Sequence, residues 1–345
     1  MAKCKLFEPV QIGTLELKNR VVMAPMCTQE VRAQDGVATE FHKVHYAARA
    51  LGGVGLINIE ATAVEADGRI MVRDLGLWNE EQAEKMKELI TLLHQFDTKV
   101  AIQLAHAGRK ARGAKRLLAP SAIAFSKDYE VPEEMSREQI QEIVERFRQS
   151  AIYAKEAGVD ALEIHAAHGY LINQFLSPLT NHRQDEYGGC LENRFRFLKE
   201  VVDAVRQAFG GSLWVRISAE EYCEGGNKLE EFIQISKWLK EEGIDIIDVS
   251  TGGVVDTVPE KIYAGYQVPV AAAIKQGAAV KVATVGLLND AKLAEYILQS
   301  GQADLICLGR PLLSNPNWLQ AAADILGAKE DFKTYNNAYE RGRTI

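Results

Sequence analysis

The stretch SREQIQEIVERFRQSAIYAKEAGVDALEIH, residues 136–165, reads as an amphipathic helix, a glycine stop and a short apolar strand. Ser136 followed by Gln139 forms a capping box, which satisfies orphan N–H groups at a helix start. Gly158 stands where a chain leaves a helix through the left-handed region, and residues 161–165 follow at once as a strand. The same grammar recurs twice. Residues 228–242 run to Gly243 and a strand at 244–249; residues 289–300, with Asn289 at the N-cap position, run to Gly301 and a strand at 305–308. Two more helical patterns occupy 79–96 and 192–208, and further strands are expected at 20–24, 54–60, 99–104, 213–218 and 280–284. Most of these strands are Val-, Ile- and Leu-rich without alternation, as strands covered on both faces are.

Eight strand-then-helix units in succession predict a parallel sheet closed on itself, a single-domain α/β protein with the TIM (β/α)8 barrel fold. An open, doubly wound sheet is the competitor. It would carry a glycine-rich fingerprint after its first strand, but that strand runs into Pro25-Met26-Cys27, and no G-x-G-x-x-G occurs.

Composition narrows the function classes. The 345 residues are 47% hydrophobic and 25% charged, the proportions of a soluble globular protein. Forty Lys+Arg against 47 Asp+Glu leave a net charge of −7, which argues against a nucleic-acid or anionic-membrane surface. No apolar run approaches the ~20 residues that span a bilayer, and the start lacks the apolar core of a secretory signal. A cytoplasmic location is the expectation. The five cysteines are scattered and none forms C-x-x-C, so a disulfide framework, zinc ribbon or iron–sulfur cluster has no support.

In such barrels chemistry gathers where strands end, at the C-terminal rim. Gln103, His165, His168 and Arg216 fall there, and polar groups at core strand ends cost free energy unless something pairs with them. His165 and His168 are either a metal pair, satisfied core residues, or two donors to one substrate oxygen with Tyr170 as a nearby acid. Gln103 suits a uracil-like edge or a buried loop backbone. Arg216, inside the apolar run Trp214-Val215-Arg216-Ile217, demands either a carboxylate or an anionic cofactor. Gly286, Gly309 and Arg310 follow the seventh and eighth strands, where barrels often bind phosphate.

These residues resemble the Old Yellow Enzyme family of FMN-dependent ene-reductases, in particular its bacterial, thermophilic-like branch. The resemblance spans nearly the whole chain: Leu17-Lys18-Asn19-Arg20, Met23-Ala24-Pro25-Met26-Cys27, Gln103-Leu104-Ala105-His106-Ala107-Gly108-Arg109-Lys110, and above all the run from Glu163 to Arg194 with His165-Ala166-Ala167-His168-Gly169-Tyr170. It implies a TIM barrel holding FMN non-covalently, with NADPH or NADH as electron donor and a small-molecule substrate. Ala24, Pro25, Met26, Cys27 and Ala61 would line the isoalloxazine, Gln103 its pyrimidine edge and Arg216 its N1/O2 side. Gly286, Gly309 and Arg310 would take the phosphate. His165 and His168 would hold the oxygen of an α,β-unsaturated carbonyl compound, and Tyr170 would protonate its Cα in ping-pong turnover. No metal is implied. Two departures stand out, Gln29 where relatives carry Tyr and Ala24 where many carry Ser. A C-terminal tail, about residues 330–345, resembles the segment by which this branch places an arginine, here Arg341, in a neighbouring subunit's substrate site. A homodimer or homotetramer follows as an expectation. A metal-dependent barrel lyase and a flavin redox sensor acting through Cys27 are the alternatives.

Overall fold

The computed structural model describes residues 4–332. Eight parallel strands close into a barrel in sequence order, the eighth pairing back with the first. They are β1 (Val21–Met23), β2 (Leu56–Ala63), β3 (Lys99–Ala105), β4 (Ala161–Ala166), β5 (Ser212–Ser218), β6 (Ile246–Ser250), β7 (Val282–Thr284) and β8 (Leu305–Leu308). A helix follows each: α1 (Glu40–Leu51), α2 (Glu80–His94), α3 (Arg137–Glu156), α4 (Leu191–Phe209), α5 (Leu229–Glu241), α6 (Val268–Ala278), α7 (Ala291–Gln299) and α8 (Trp318–Ile325). The barrel expectation holds.

The local reasons are those of the sequence pattern. In α3 the buried Ile140, Ile143, Phe147, Ala151 and Ala154 recur at helical spacing and form the stripe that packs inward. Its capping box is formed: the Ser136 N–H donates to Gln139 Oε1 at 2.6 Å, and the Gln139 N–H donates to Ser136 Oγ at 3.3 Å. Gly158, Gly243 and Gly301 take φ of +83°, +81° and +73° just past their helices.

Each of those glycines is followed within three residues by an aspartate with one repeated task. The carboxylates of Asp160, Asp245 and Asp304 accept from the backbone N–H of Val100, Leu213 and Val282 at 2.9, 3.0 and 2.9 Å. Each pins the start of the preceding strand to the start of the next. Below them the hairpin Val10–Ile12 with Leu15–Leu17 plugs the barrel floor. Its Ile12, Leu15 and Leu17 pack with Val22, Leu56, Ala101, Ala161, Trp214, Ile246, Ala283 and Leu305, a dry lower interior.

Boundaries differ from the sequence expectation in instructive places. The strand expected to end at residue 60 continues to Ala63, because its register against β3 shifts between Ile59 and Thr62 and places Glu60 and Ala61 in a bulge. The N-cap of α7 is Asp290, whose side chain accepts from the Lys292 N–H at 2.8 Å, and not Asn289. Helices α1, α6 and α8 had no clear pattern: α1 buries His42, His45 and Arg49 on its inward face, and α6 opens with a proline in its first turn. Among the described residues no helix is long and apolar enough to cross a membrane.

The repeated aspartate device is testable. Asp245→Ala leaves the Leu213 N–H without its acceptor and the Ser212 hydroxyl with only Ile12 O at 3.4 Å, and should cost about 1–3 kcal/mol. A urea-unfolding midpoint equal to wild type would refute it.

Candidate active site

The C-terminal ends of the strands form a mouth whose wall begins after β1. The Ala24 N–H donates to Leu308 O at 3.0 Å, carrying the chain over the rim. Pro25 and Met26 are half-buried, while Cys27 and Gln29 are exposed, Gln29 with φ +56°. This loop is held from behind. Glu60, re-aimed by its bulge, accepts from the Thr28 N–H at 2.8 Å, from Thr28 Oγ1 at 3.0 Å and from the Tyr46 hydroxyl of α1 at 2.9 Å. Burial raises the Glu60 carboxyl to about 7 against the pull of those donors. Protein crowding and then the negative charges of Asp74 and Glu60 push the Cys27 thiol well above its ordinary value, although water reaches it. Cys27 is therefore reached by solvent without being a ready thiolate.

Across the mouth, β4 ends in His165, and the chain turns through His168 at φ +58° and Gly169 at φ +72°. Position 169 tolerates only glycine, since a Cβ there would lie 1.9 Å from the Gly253 carbonyl oxygen. Lys110 ties this turn down, donating to the carbonyl oxygens of His168 at 2.9 Å and Gly253 at 3.1 Å. The two imidazoles stand edge to face with centroids 5.1 Å apart, and the Tyr170 ring lies 5.0 Å from that of His165. Burial, followed by the Arg216 cation, depresses both imidazoles well below the usual histidine value, so both are neutral near pH 7. His165 Nδ1 accepts from the Ala167 N–H at 3.3 Å, which leaves its proton on Nε2. His168 Nε2 lies 2.7 Å from Ser250 Oγ. Burial also raises the Tyr170 phenol well above its ordinary value.

One layer below, Gln103 Nε2 donates to Glu163 Oε1 at 2.7 Å. Arg216 Nε lies 3.1 Å from Asp248 Oδ2, an ion-pair distance without the alignment of a hydrogen bond. Arg216 thus has the carboxylate partner that the sequence left open. On the side of β7 and β8, the buried Thr284 hydroxyl has no hydrogen-bond partner. Gly286 has φ +123° and would crowd Gln267 and Tyr266 with any side chain, and a Cβ on Gly309 would come within 3.2 Å of Met26 Sδ. Arg310 is exposed and forms no ion pair among the described residues.

The structure therefore brings together Ala24 to Cys27, Ala61, Gln103, His165, His168, Tyr170, Arg216, Gly286, Gly309 and Arg310 around one mouth. His106 belongs elsewhere, paired with Glu65 at 3.1 Å. Arg341 lies outside the described residues. No group of three or more His, Cys, Asp or Glu is placed to hold a metal ion among the described residues. Glu163, Asp248 and Lys110 were missed as site residues. A charge within the apolar run Ile246-Ile247-Asp248-Val249 was the available signal, the same one that marked Arg216.

Comparison with known proteins fits this arrangement. A family model described as NADH:flavin oxidoreductase / NADH oxidase matches residues 5–327. The chain belongs to that family, the Old Yellow Enzyme family. An NADPH dehydrogenase of Listeria monocytogenes serotype 4b is 48% identical over 337 residues, 97% of this chain and 99% of that protein. One from Geobacillus sp. (strain WCH70) is 49% identical over 339 residues, 98% of each. Morphinone reductase, solved in complex with tetrahydroNAD, superposes with a TM-score of 0.80 at 31% identity, covering 94% of this chain and 91% of its own. This family member is a flavin-dependent oxidoreductase with FMN as cofactor and a nicotinamide dinucleotide as electron donor.

The state of Cys27 gives a prediction. At pH 8.5 its alkylation by iodoacetamide should run about tenfold or more slower than that of an unstructured cysteine peptide, and Asp74→Asn should speed it. A peptide-like rate in the wild-type protein would contradict the crowding described above.

Proposed function

We propose that the protein is an NADPH-dependent ene-reductase, reducing the C=C bond of α,β-unsaturated carbonyl compounds by ping-pong turnover over one face of FMN. The observation that carries this reading is the trio His165, His168 and Tyr170. Two neutral imidazoles and a phenol cluster with ring centroids 5.0–6.5 Å apart, above polar groups suited to a flavin. The donor set fits the cofactor: Gln103 offers an amide, Arg216 a cation, and Thr284 an unsatisfied hydroxyl beside the glycine-lined approach at Gly286 and Gly309. In this reading Ala24, Pro25, Met26, Cys27 and Ala61 line the isoalloxazine, Gln103 meets its pyrimidine edge, and Arg216 its N1/O2 side. Gly286, Gly309 and Arg310 receive the phosphate. FMN held there would supply hydride transfer between the nicotinamide and the acceptor.

The protein's own groups do the rest. His165 donates from Nε2 to the acceptor's carbonyl oxygen, and His168 joins it from Nδ1 once the Ser250 proton, directed at Gln267 Oε1 at 3.1 Å, turns to His168 Nε2. Neutral donors polarise the carbonyl without placing a full charge at the site, and withdraw electron density from Cβ. Tyr170 then gives its proton to Cα, still acidic relative to an enolate-like carbon. Lys110 holds the His168 turn and lies 5.2 Å from the Tyr170 ring centroid, a cation beside the phenolate that forms. Electron donor and acceptor take turns on one surface, so no second nucleotide-binding fold is required.

A reducing compartment suits five unpaired cysteines, and we place the enzyme in the cytoplasm as a homo-oligomer.

Anaerobic reduction by NADPH, followed by reoxidation with a panel of acceptors, tests the proposal. Tyr170→Phe should leave reduction by NADPH intact and slow enone reduction by about 10²–10⁴-fold, while a quinone, which needs no proton on carbon, reoxidises it normally. Equal loss with both acceptors would remove Tyr170 as the acid. Gln29→Tyr replaces an exposed amide at the mouth by an aromatic ring, and is expected to change the order of preferred acceptors without changing reduction by NADPH. An unaltered acceptor profile would remove position 29 from specificity.

A further inference from the structure

Beneath the mouth the barrel holds two carboxyl groups and one guanidinium that the chemistry above leaves unused. Glu163 of β4 and Asp248 of β6 flank Arg216 of β5, and the two acids are 0% and 1% exposed. Glu163 Oε2 and Asp248 Oδ2 are both buried without a hydrogen-bond partner. An ionised carboxylate oxygen left so is costly, and a proton on one of the two acids relieves it. Charge counting gives the same answer. The remaining groups facing the pair are neutral: Asn58 of β2, Gln103 of β3, and the Cys307 thiol of β8, which burial and Asp248 push well above its ordinary value. His165 and His168 above Arg216 are held neutral as well. One guanidinium offsets one carboxylate, and a second anion in this sealed layer would have no partner.

Each acid also grips a side chain that faces the cofactor. Glu163 accepts from Gln103 at 2.7 Å, and Asp248 lies 3.1 Å from Arg216 Nε. We propose that Glu163 and Asp248 share one proton and act as the positioning pair for Gln103 and Arg216, so that negative charge gained by the bound flavin is coupled to retention of that proton. The inference rests on FMN lying over this layer.

The sign follows from linkage. Burial and the Asp248 charge raise the Glu163 carboxyl to about 8, against the pull of Arg216 and Gln103. Below that pH the pair keeps its proton in both redox states, and reduction takes up two electrons and the cofactor's own proton. Above it the oxidised enzyme has lost the shared proton, and the new charge beside Arg216 draws it back from solvent. Each electron pair then brings in two protons instead of one.

The test is the reduction potential of bound FMN, measured by equilibration with reference dyes on both sides of pH 8. In wild type the slope of potential against pH should double above about pH 8. Glu163→Gln removes the shared proton while keeping a partner for Gln103, and should abolish that steepening. Asp248→Asn should abolish it too and also weaken FMN binding through the freed Arg216. A single slope in the wild type, or an unchanged break in a folded variant, overturns the inference. Should Glu163→Gln fail to fold, the wild-type titration and Asp248→Asn still decide. A protein that stays colourless with FMN overturns the cofactor reading and this inference together, whereas a yellow protein without the break overturns only the inference.

Discussion

A guanidinium inside a β-barrel needs an anion, and much of the upper half of this molecule follows from meeting that need. Arg216 points into the barrel from the middle of an apolar strand, where an unpaired charge costs several kcal/mol. Asp248, its register neighbour on β6, supplies the ion pair, and Glu163 on β4 supplies a second acid. Two acids and one cation leave a proton to be held. Gln103 is drawn to the pair as a donor, and the side chains best suited to a flavin's polar edge are fixed before any ligand arrives. Preorganisation of this kind is what electrostatic catalysis requires, because dipoles already oriented need not reorganise during the reaction.

The lower half makes that arrangement possible. A hairpin plug and Trp214 exclude water from the floor, and the aspartates at 160, 245 and 304 fix where strands begin. Strand starts set strand register, and register decides which side chains share an interior layer. Two strained turns then finish the mouth. Gln29 and His168 both sit at positive φ, where a side chain normally avoids being, and each turn is pinned by an ionisable side chain. Glu60 grips the Thr28 backbone beside Gln29, and Lys110 grips the His168 carbonyl.

Much of this was readable from the chain alone. Helix stops at Gly158, Gly243 and Gly301, the capping box at Ser136 and the continuous apolar strands are local signals, and local physics honoured them. The residues of the mouth were readable because polar groups at strand ends are conspicuous. Glu163 was conspicuous as well, yet its role was hidden. Its partners Gln103 and Asp248 lie 60 and 85 residues away, and only barrel closure brings them together. The aim of Glu60 was hidden for a different reason. A bulge between Ile59 and Thr62 redirects it, and no alternation pattern announces a bulge.

Sequence by itself determined the barrel, the family and the set of side chains available at its mouth, because periodicity, helix stops and short motifs are properties of neighbours along the chain. Only the tertiary structure decided which acid meets Arg216, which way Glu60 faces, and that both histidines lose their charge. Those outcomes depend on desolvation and on distances across the barrel. Neither quantity exists until the sheet has closed.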